Sequence, residues 1–173
     1  KNVYVTNSPL QFIFALSIQN LLNSNNNYLI LWFGNVSLRE SFPDSVNLSS
    51  FNALDLSNLK FNHLNEFLKN RKKLEKILKD NVDEIDILFT MYETHFAFEV
   101  IKNLYGVSWS KIGIIDDGMG NYIPHSMPKL YRQIPKYIIV KIATGISLTL
   151  SRLNSGGNTE AILLSMPPSA KWK

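Results

Sequence analysis

Residues 28–33 read YLILWF, an apolar run that is too short for a typical helix and long enough for a strand. A run without polar alternation is typical of a parallel strand that is covered on both faces. Three more short apolar runs share this character, at 2–6, 86–90 and 112–115. Helical patterns alternate with them, at 9–23, 60–80 and 94–105. The alternation predicts an α/β fold, an open parallel Rossmann-like sheet with helices on both faces.

The predicted helices carry start and stop signals. Ser8 is a good N-cap, Pro9 suits the first helical position, and Gln11 completes a capping box. Gly106 follows the third helix at the C-cap position. The long second helix presents an apolar stripe and a lysine-rich remainder, which we interpret as a solvated face rather than an RNA or lipid site.

Two segments are less regular. Residues 34–58 are rich in Ser, Asn and Asp and predict a long loop with a short extra strand. Beyond Tyr122, prolines at 124, 128 and 135 are expected to interrupt any long helix. The apolar stretch 134–150 includes two lysines, and predicts a core or inter-domain helix, with peripheral membrane contact as the weaker alternative. We expect a Rossmann-like domain at 1–125 and a helical, inter-domain extension at 126–173.

Composition and missing motifs exclude several function classes. The formal net charge of +4 permits an anionic ligand or membrane surface but falls short of a nucleic-acid footprint. The absence of cysteine excludes thiol catalysis and Cys-based metal sites. The sequence has no dinucleotide fingerprint, Walker loop, zincin motif or hydrolase elbow. With no secretory signal pattern, we expect a cytoplasmic protein, with a location peripheral to the inner membrane left open.

Polar residues follow three of the predicted strands. They are Asn7 and Ser8 after the first strand, Glu93 and His95 after the third, and residues 116–121 after the fourth. Ligands of open α/β sheets bind outside the carboxyl ends of the strands, so these segments predict one crevice. The first segment opens a helix, whose free backbone N–H groups could hold an anionic or hydroxyl-rich group.

The three histidines differ in what they suggest. His63 is expected on the surface at the start of the long helix, whereas His95 and His125 could reach the predicted crevice. For each of them an ordinary polar role is the simpler interpretation.

Asp116-Asp117-Gly118 is the strongest single chemical signal. Adjacent carboxylates disfavour each other's ionisation, which can raise one of them toward the pKa of a general base. Gly118 and Gly120 allow a sharp turn and close approach of the backbone to a substrate. An ordinary Asp-Gly turn is the structural alternative, and by itself the more frequent one. A metal site is a weaker interpretation of the two carboxylates, because the sequence shows no third ligand at a spacing typical of metal sites.

Two segments together resemble a known family. Residues 3–11, VYVTNSPLQ, resemble the opening strand–turn–helix of bacterial sialyltransferases of glycosyltransferase families 52 and 38. Residues 114–122, IIDDGMGNY, resemble the acidic motif of the same families. The resemblance covers the element order of about residues 2–125, and it implies the N-terminal half of a GT-B glycosyltransferase.

The resemblance also implies an activity. Sialic acid would pass from CMP-sialic acid to a glycan acceptor of a capsule or lipooligosaccharide, without a metal or other cofactor. Asp116 would be the base and Asp117 its support or the alternate base. The implied substrate-binding residues are Asn7, Ser8, Glu93, His95, Gly118, Gly120 and Asn121.

The family's donor half uses a His-Pro motif, and this sequence has only the reversed pair Pro124-His125. We therefore expect the nucleotide sugar to be bound mainly by a C-terminal domain that this chain lacks, and the chain alone to be inactive. The sequence leaves open whether the chain forms a homo-oligomer.

Two alternatives remain. The first is a GT-B enzyme that uses another nucleotide sugar, since the donor contacts would lie elsewhere. The second is a non-catalytic flavodoxin-like binding module, with the paired acids as a receiver-type pocket. Receiver domains place such acids after the first strand, whereas the first strand here ends in Thr6-Asn7-Ser8.

Overall fold

A computed structural model of the chain describes residues 1–22, 27–61, 63–90, 96–115, 130–146 and 161–163. The described elements alternate along the chain as predicted. They are β1 (Asn2–Thr6), α1 (Pro9–Leu21), β2 (Tyr28–Trp32), β3 (Ala53–Asp55), α2 (Leu64–Asn81), β4 (Ile87–Thr90), α3 (Phe96–Leu104), β5 (Ile112–Ile115), α4 (Leu130–Thr144) and β6 (Ala161–Leu163).

The strands form one sheet in which every pairing is parallel. The six strands lie in the order β3-β2-β1-β4-β5-β6. This is the order of the doubly wound Rossmann sheet, and it differs from the flavodoxin-like order 2-1-3-4-5. The expected open parallel α/β sheet is therefore confirmed, and the flavodoxin-like alternative loses its topological support.

Alternate residues of each strand pack into cores on opposite faces of the sheet. On one face Val3 and Leu29 join a cluster with Phe67 of α2 and Ile101 of α3. On the other face Tyr4, Ile30 and Phe89 join Phe12 of α1 and aromatic side chains of the loop that precedes β3. Because both faces are covered, the strands are apolar at successive positions, which explains the unbroken run in β2.

Helix α1 begins at the predicted residues and α3 ends as predicted, but the Gln11 side chain accepts the N–H of Asn7, one residue before the N-cap, instead of completing the predicted capping box. The side chain of Ser8 accepts the backbone N–H of Gln11, and Pro9 occupies the first turn. After α3, Gly106 adopts φ +59°, and the N–H of Val107 donates to the carbonyl of Lys102 at 2.9 Å. This is the Schellman arrangement, in which the left-handed residue is most often glycine.

The start of α2 differs from the prediction. Leu59 and Phe61 are buried in the core but precede the helix, which begins at Leu64. The exposed His63 is the N-cap, and its N–H donates to the Glu66 carboxylate at 3.2 Å. Leu68, which the helical spacing places on the apolar stripe of this helix, is exposed instead of buried. Apolar spacing alone could not separate a buried turn from the first turn of the helix.

Several findings concern the segment after residue 126. Pro135 lies inside α4 rather than ending it, although an interior proline removes one helical hydrogen bond and its ring crowds the preceding turn. The helix ends at Thr144, and the following Gly145 has φ +73° and donates its N–H to the Lys141 carbonyl at 2.8 Å. The short strand β6, which the sequence analysis did not predict, pairs with β5. Among the described residues, no helix combines the length and apolar character needed to cross a membrane.

Candidate functional site

The topology singles out one edge of the sheet. Starting from β1, the chain adds β2 and β3 on one side, and it then crosses back to add β4 and β5 on the other. The carboxyl ends of β1 and β4 therefore lie at a topological switch point, where the connecting segments leave in opposite directions. This is the position at which open α/β sheets bind ligands.

The strand register fixes how the ends align. Tyr4 of β1 is opposite Phe89 of β4, and Phe89 is opposite Gly113 of β5. Thr6 lies two residues after Tyr4, and Ile115 lies two residues after Gly113. Thr6 and Ile115 are therefore at the same level of the sheet. They are separated by two strand spacings, about 10 Å. The last residues of β1 and β5 thus flank the end of β4.

Two buried threonines end β1 and β4. Thr6 is 2% exposed and its hydroxyl donates to the Leu31 carbonyl at 3.3 Å, and Thr90 is 1% exposed. Their side chains give each of these strands a polar carboxyl end. Thr90 is not among the predicted site residues, although a hydroxyl residue at the end of an apolar run is recognisable in the sequence.

The turn from β1 to α1 uses its own side chains to satisfy its amides. The N–H of Asn7 donates to Oε1 of Gln11 at 2.8 Å, and the N–H of Gln11 donates to Oγ of Ser8 at 3.4 Å. Pro9 has no N–H, and the Gln11 side chain is buried. The expectation that free amides at this turn could hold an anion is therefore wrong for these two donors. The exposed Asn7 and half-buried Ser8 remain as polar groups at the switch point.

A second polar cluster lies at the same edge of the sheet, where β2 and β3 end. Asp55, the last residue of β3, accepts the N–H of Leu38 at 2.7 Å and the N–H of Ser57 at 3.0 Å. Lys60 Nζ donates to the carbonyls of Gly34 and Asn35 beyond β2. These contacts fix the loops that follow β2 and β3, and sequence spacing gave no sign of them.

Two opposing effects act on the pKa of Asp55. Partial burial raises the pKa of the Asp55 carboxyl, but hydrogen bonds from the side chain and backbone of Ser57 and from the Leu38 backbone outweigh it, with help from the Lys60 charge. The net result is a pKa below the usual value. The Asp55 carboxylate is therefore held ionised and accepts structural hydrogen bonds, and these contacts give no reason to assign it a catalytic role.

Only two of the predicted site residues lie in the described part of the chain. Asn7 and Ser8 are at the carboxyl end of β1, as expected from the topology. The others lie outside the described residues, and their predicted roles stay predictions: Glu93, His95, Asp116, Asp117, Gly118, Gly120 and Asn121. His125 also lies outside them.

The described ranges contain no group of three or more His, Asp or Glu side chains that could hold a metal ion. At the carboxyl edge of the sheet they contain the exposed Asn7 and the half-buried Ser8, whose amide and hydroxyl groups can hydrogen-bond a ligand. Comparison of the chain with protein-family models, with curated proteins and with solved structures gives no match.

Proposed function

We propose that the chain is the acceptor-side domain of a bacterial sialyltransferase or polysialyltransferase. The enzyme would transfer sialic acid from CMP-sialic acid to a surface glycan of the capsule or lipooligosaccharide type. The resemblance of segments 3–11 and 114–122 motivates the proposal, and the parallel α/β sheet is compatible with one half of a GT-B enzyme.

One observation carries the proposal furthest. The two segments that bear the resemblance are far apart in sequence, yet the strands from which they continue end at the same level of one sheet edge. The two strand ends are about 10 Å apart with the end of β4 between them, so residues that follow both strands could contact one glycan placed outside this edge. Because every pairing in the sheet is parallel, both segments leave the same edge, one at the switch point after β1 and the other two strands away after β5.

The β1–α1 turn favours an acceptor over a nucleotide. Phosphate sites at such turns use glycine and free backbone amides. Here two amides are bonded within the turn, and Pro9 offers none. Asn7 and Ser8 present neutral amide and hydroxyl groups instead, which match the hydroxyl groups of a glycan. The donor phosphate would be bound by the C-terminal half.

The proposed reaction is a displacement at the anomeric carbon. A hydroxyl oxygen of the acceptor attacks the anomeric carbon of the donor sialic acid, and the bond from that carbon to the phosphate oxygen breaks. CMP leaves with the bonding electron pair, and the hydroxyl proton passes to the carboxylate of Asp116. Asp117 supports the base through its neighbouring charge.

The test uses the full-length protein with CMP-sialic acid and a glycan acceptor. Asp116→Asn is expected to lower kcat by about 10²–10⁴-fold, the usual contribution of a general base, with thermal unfolding unchanged. Asp117→Asn should cost less. Asp80→Asn, at an exposed acid in the last turn of α2, is the matched control and should keep parental turnover.

Near-parental turnover in both site variants would contradict the assignment of the base, and His95 would be tested next. Transfer from a different nucleotide sugar, with none from CMP-sialic acid, would overturn the donor assignment while keeping the enzyme class. Robust turnover by the 173-residue chain alone would overturn the division into acceptor and donor halves.

A further inference from the structure

Helix α4 directs an apolar stripe away from the domain. Ile138, Ile139 and Ile142 are 51%, 48% and 81% exposed, whereas Val140 is fully buried in the core. At 100° per residue the three isoleucines lie on one side of the helix, opposite Val140. The helix is thus anchored to the domain by one face and presents isoleucine on the other.

The sequence around this stripe carries only positive charge. Between residues 118 and 159 there are five basic residues and no aspartate or glutamate. The basic residues are Lys129, Arg132, Lys136, Lys141 and Arg152. Of these, Lys141 lies next to the isoleucine stripe and is exposed. An exposed apolar stripe in a segment whose charged residues are all basic is unfavourable in water alone and favourable at an anionic apolar surface.

Helix α2 extends the positive charge. It packs against α4 on the same face of the sheet. Five of its lysines are exposed: Lys69, Lys72, Lys73, Lys76 and Lys79. Two of its three acids are engaged locally, Glu66 with the His63 N–H and Glu75 with Arg71. The lysines that sequence analysis assigned to solvent therefore share a side of the molecule with the isoleucine stripe.

We propose that this side, the isoleucine stripe of α4 with the exposed lysines of α2, binds the surface of an anionic lipid bilayer. Each basic residue near such a surface raises the partition coefficient about fivefold, and partly buried isoleucines add to it. Since Val140 holds α4 on the domain, the helix lies on the bilayer with one face inserted. A second copy of the chain fits less well, because its own basic face would be repelled.

The test measures sedimentation of the protein with vesicles. One set is pure phosphatidylcholine, and the other is equal parts phosphatidylcholine and phosphatidylglycerol. We expect binding to the anionic set and little to the neutral set. Binding should weaken as salt rises from 0.1 M to 1 M, because the Debye length falls from about 10 Å to about 3 Å.

Two variants distinguish binding through the isoleucine stripe from non-specific hydrophobic binding to vesicles. Replacing Ile138, Ile139 and Ile142 by Ser together should lower the partition coefficient by about 100-fold, at roughly fivefold per isoleucine. Ile13→Ser changes an equally exposed isoleucine on α1, a helix without charged residues on the other face of the sheet. This control should bind as the parent does. Circular dichroism and thermal unfolding confirm that each variant is folded.

Three outcomes would overturn the proposal. They are equal affinity for both vesicle sets, parental binding by the triple variant, and no binding by the parent protein. A parent that dimerises through the stripe without binding vesicles would assign this side to a second copy instead. None of these measurements depends on transferase activity, so they stand apart from the test of the proposed function.

Discussion

Replacing Gly113 by alanine should destabilise the protein through a single contact. Gly113 is buried in β5, and a Cβ there would lie 2.3 Å from Cδ1 and 2.4 Å from Cε1 of Phe89. Carbon atoms normally approach to 3.5–4.0 Å, so the ring would have to move by about 1 Å. That movement is blocked, because Phe89 stacks on Tyr4 with ring centroids 4.6 Å apart, and Tyr4 is fully buried.

Overpacking of this kind costs about 1–3 kcal/mol. For a chain of this size, about 2 kcal/mol lowers the Tm by roughly 4–8 °C, which scanning calorimetry or urea unfolding resolves. A double-mutant cycle isolates the cause. In a Phe89→Leu background the ring edge is gone, so Gly113→Ala should cost much less than in the parent. An equal cost in both backgrounds, or no cost in the parent, would refute the reasoning.

Two further changes test the hydroxyl contacts. Tyr4→Phe removes the buried bond from the phenol to Oε1 of Gln19 (3.1 Å) and should cost about 1 kcal/mol in urea unfolding. Burial, with a smaller effect of Tyr28, raises the pKa of Tyr4, so above about pH 10 the parent should lose stability faster than the variant. Parallel alkaline profiles would contradict this. Ser8→Ala should cost about 1 kcal/mol by removing the N-cap of α1, whereas the exposed mid-helix control Ser17→Ala should cost little. Equal costs would show that the cap contributes nothing specific.

Much of the fold was visible in the sequence because the strands are covered on both faces. Unbroken apolar runs located β1, β2, β4 and β5 to within a residue or two. The strand β6 was not predicted because a segment of three residues, Ala161–Leu163, is too short to show a periodicity. It is identified as a strand only by its pairing with β5.

The site was only partly predictable for a different reason. Topology located Asn7 and Ser8 at the carboxyl end of β1, but the pattern could not show that the side chain of Gln11 occupies the Asn7 amide. In the same way, spacing showed that α4 is apolar without showing which side faces the core. Both facts depend on contacts between residues whose partners the sequence does not specify.

The position of β1 between β2 and β4 has a consequence for how the chain folds. As the chain is synthesised, β1 can pair with β2 early, but its other edge waits for β4, because Asn2 pairs with Ile87. Until then an apolar strand with unpaired backbone groups is open to other chains. Sheets that depend on such distant pairings fold slowly. Of the described strands, β1 is therefore made early, yet one of its edges stays open until the chain has reached β4.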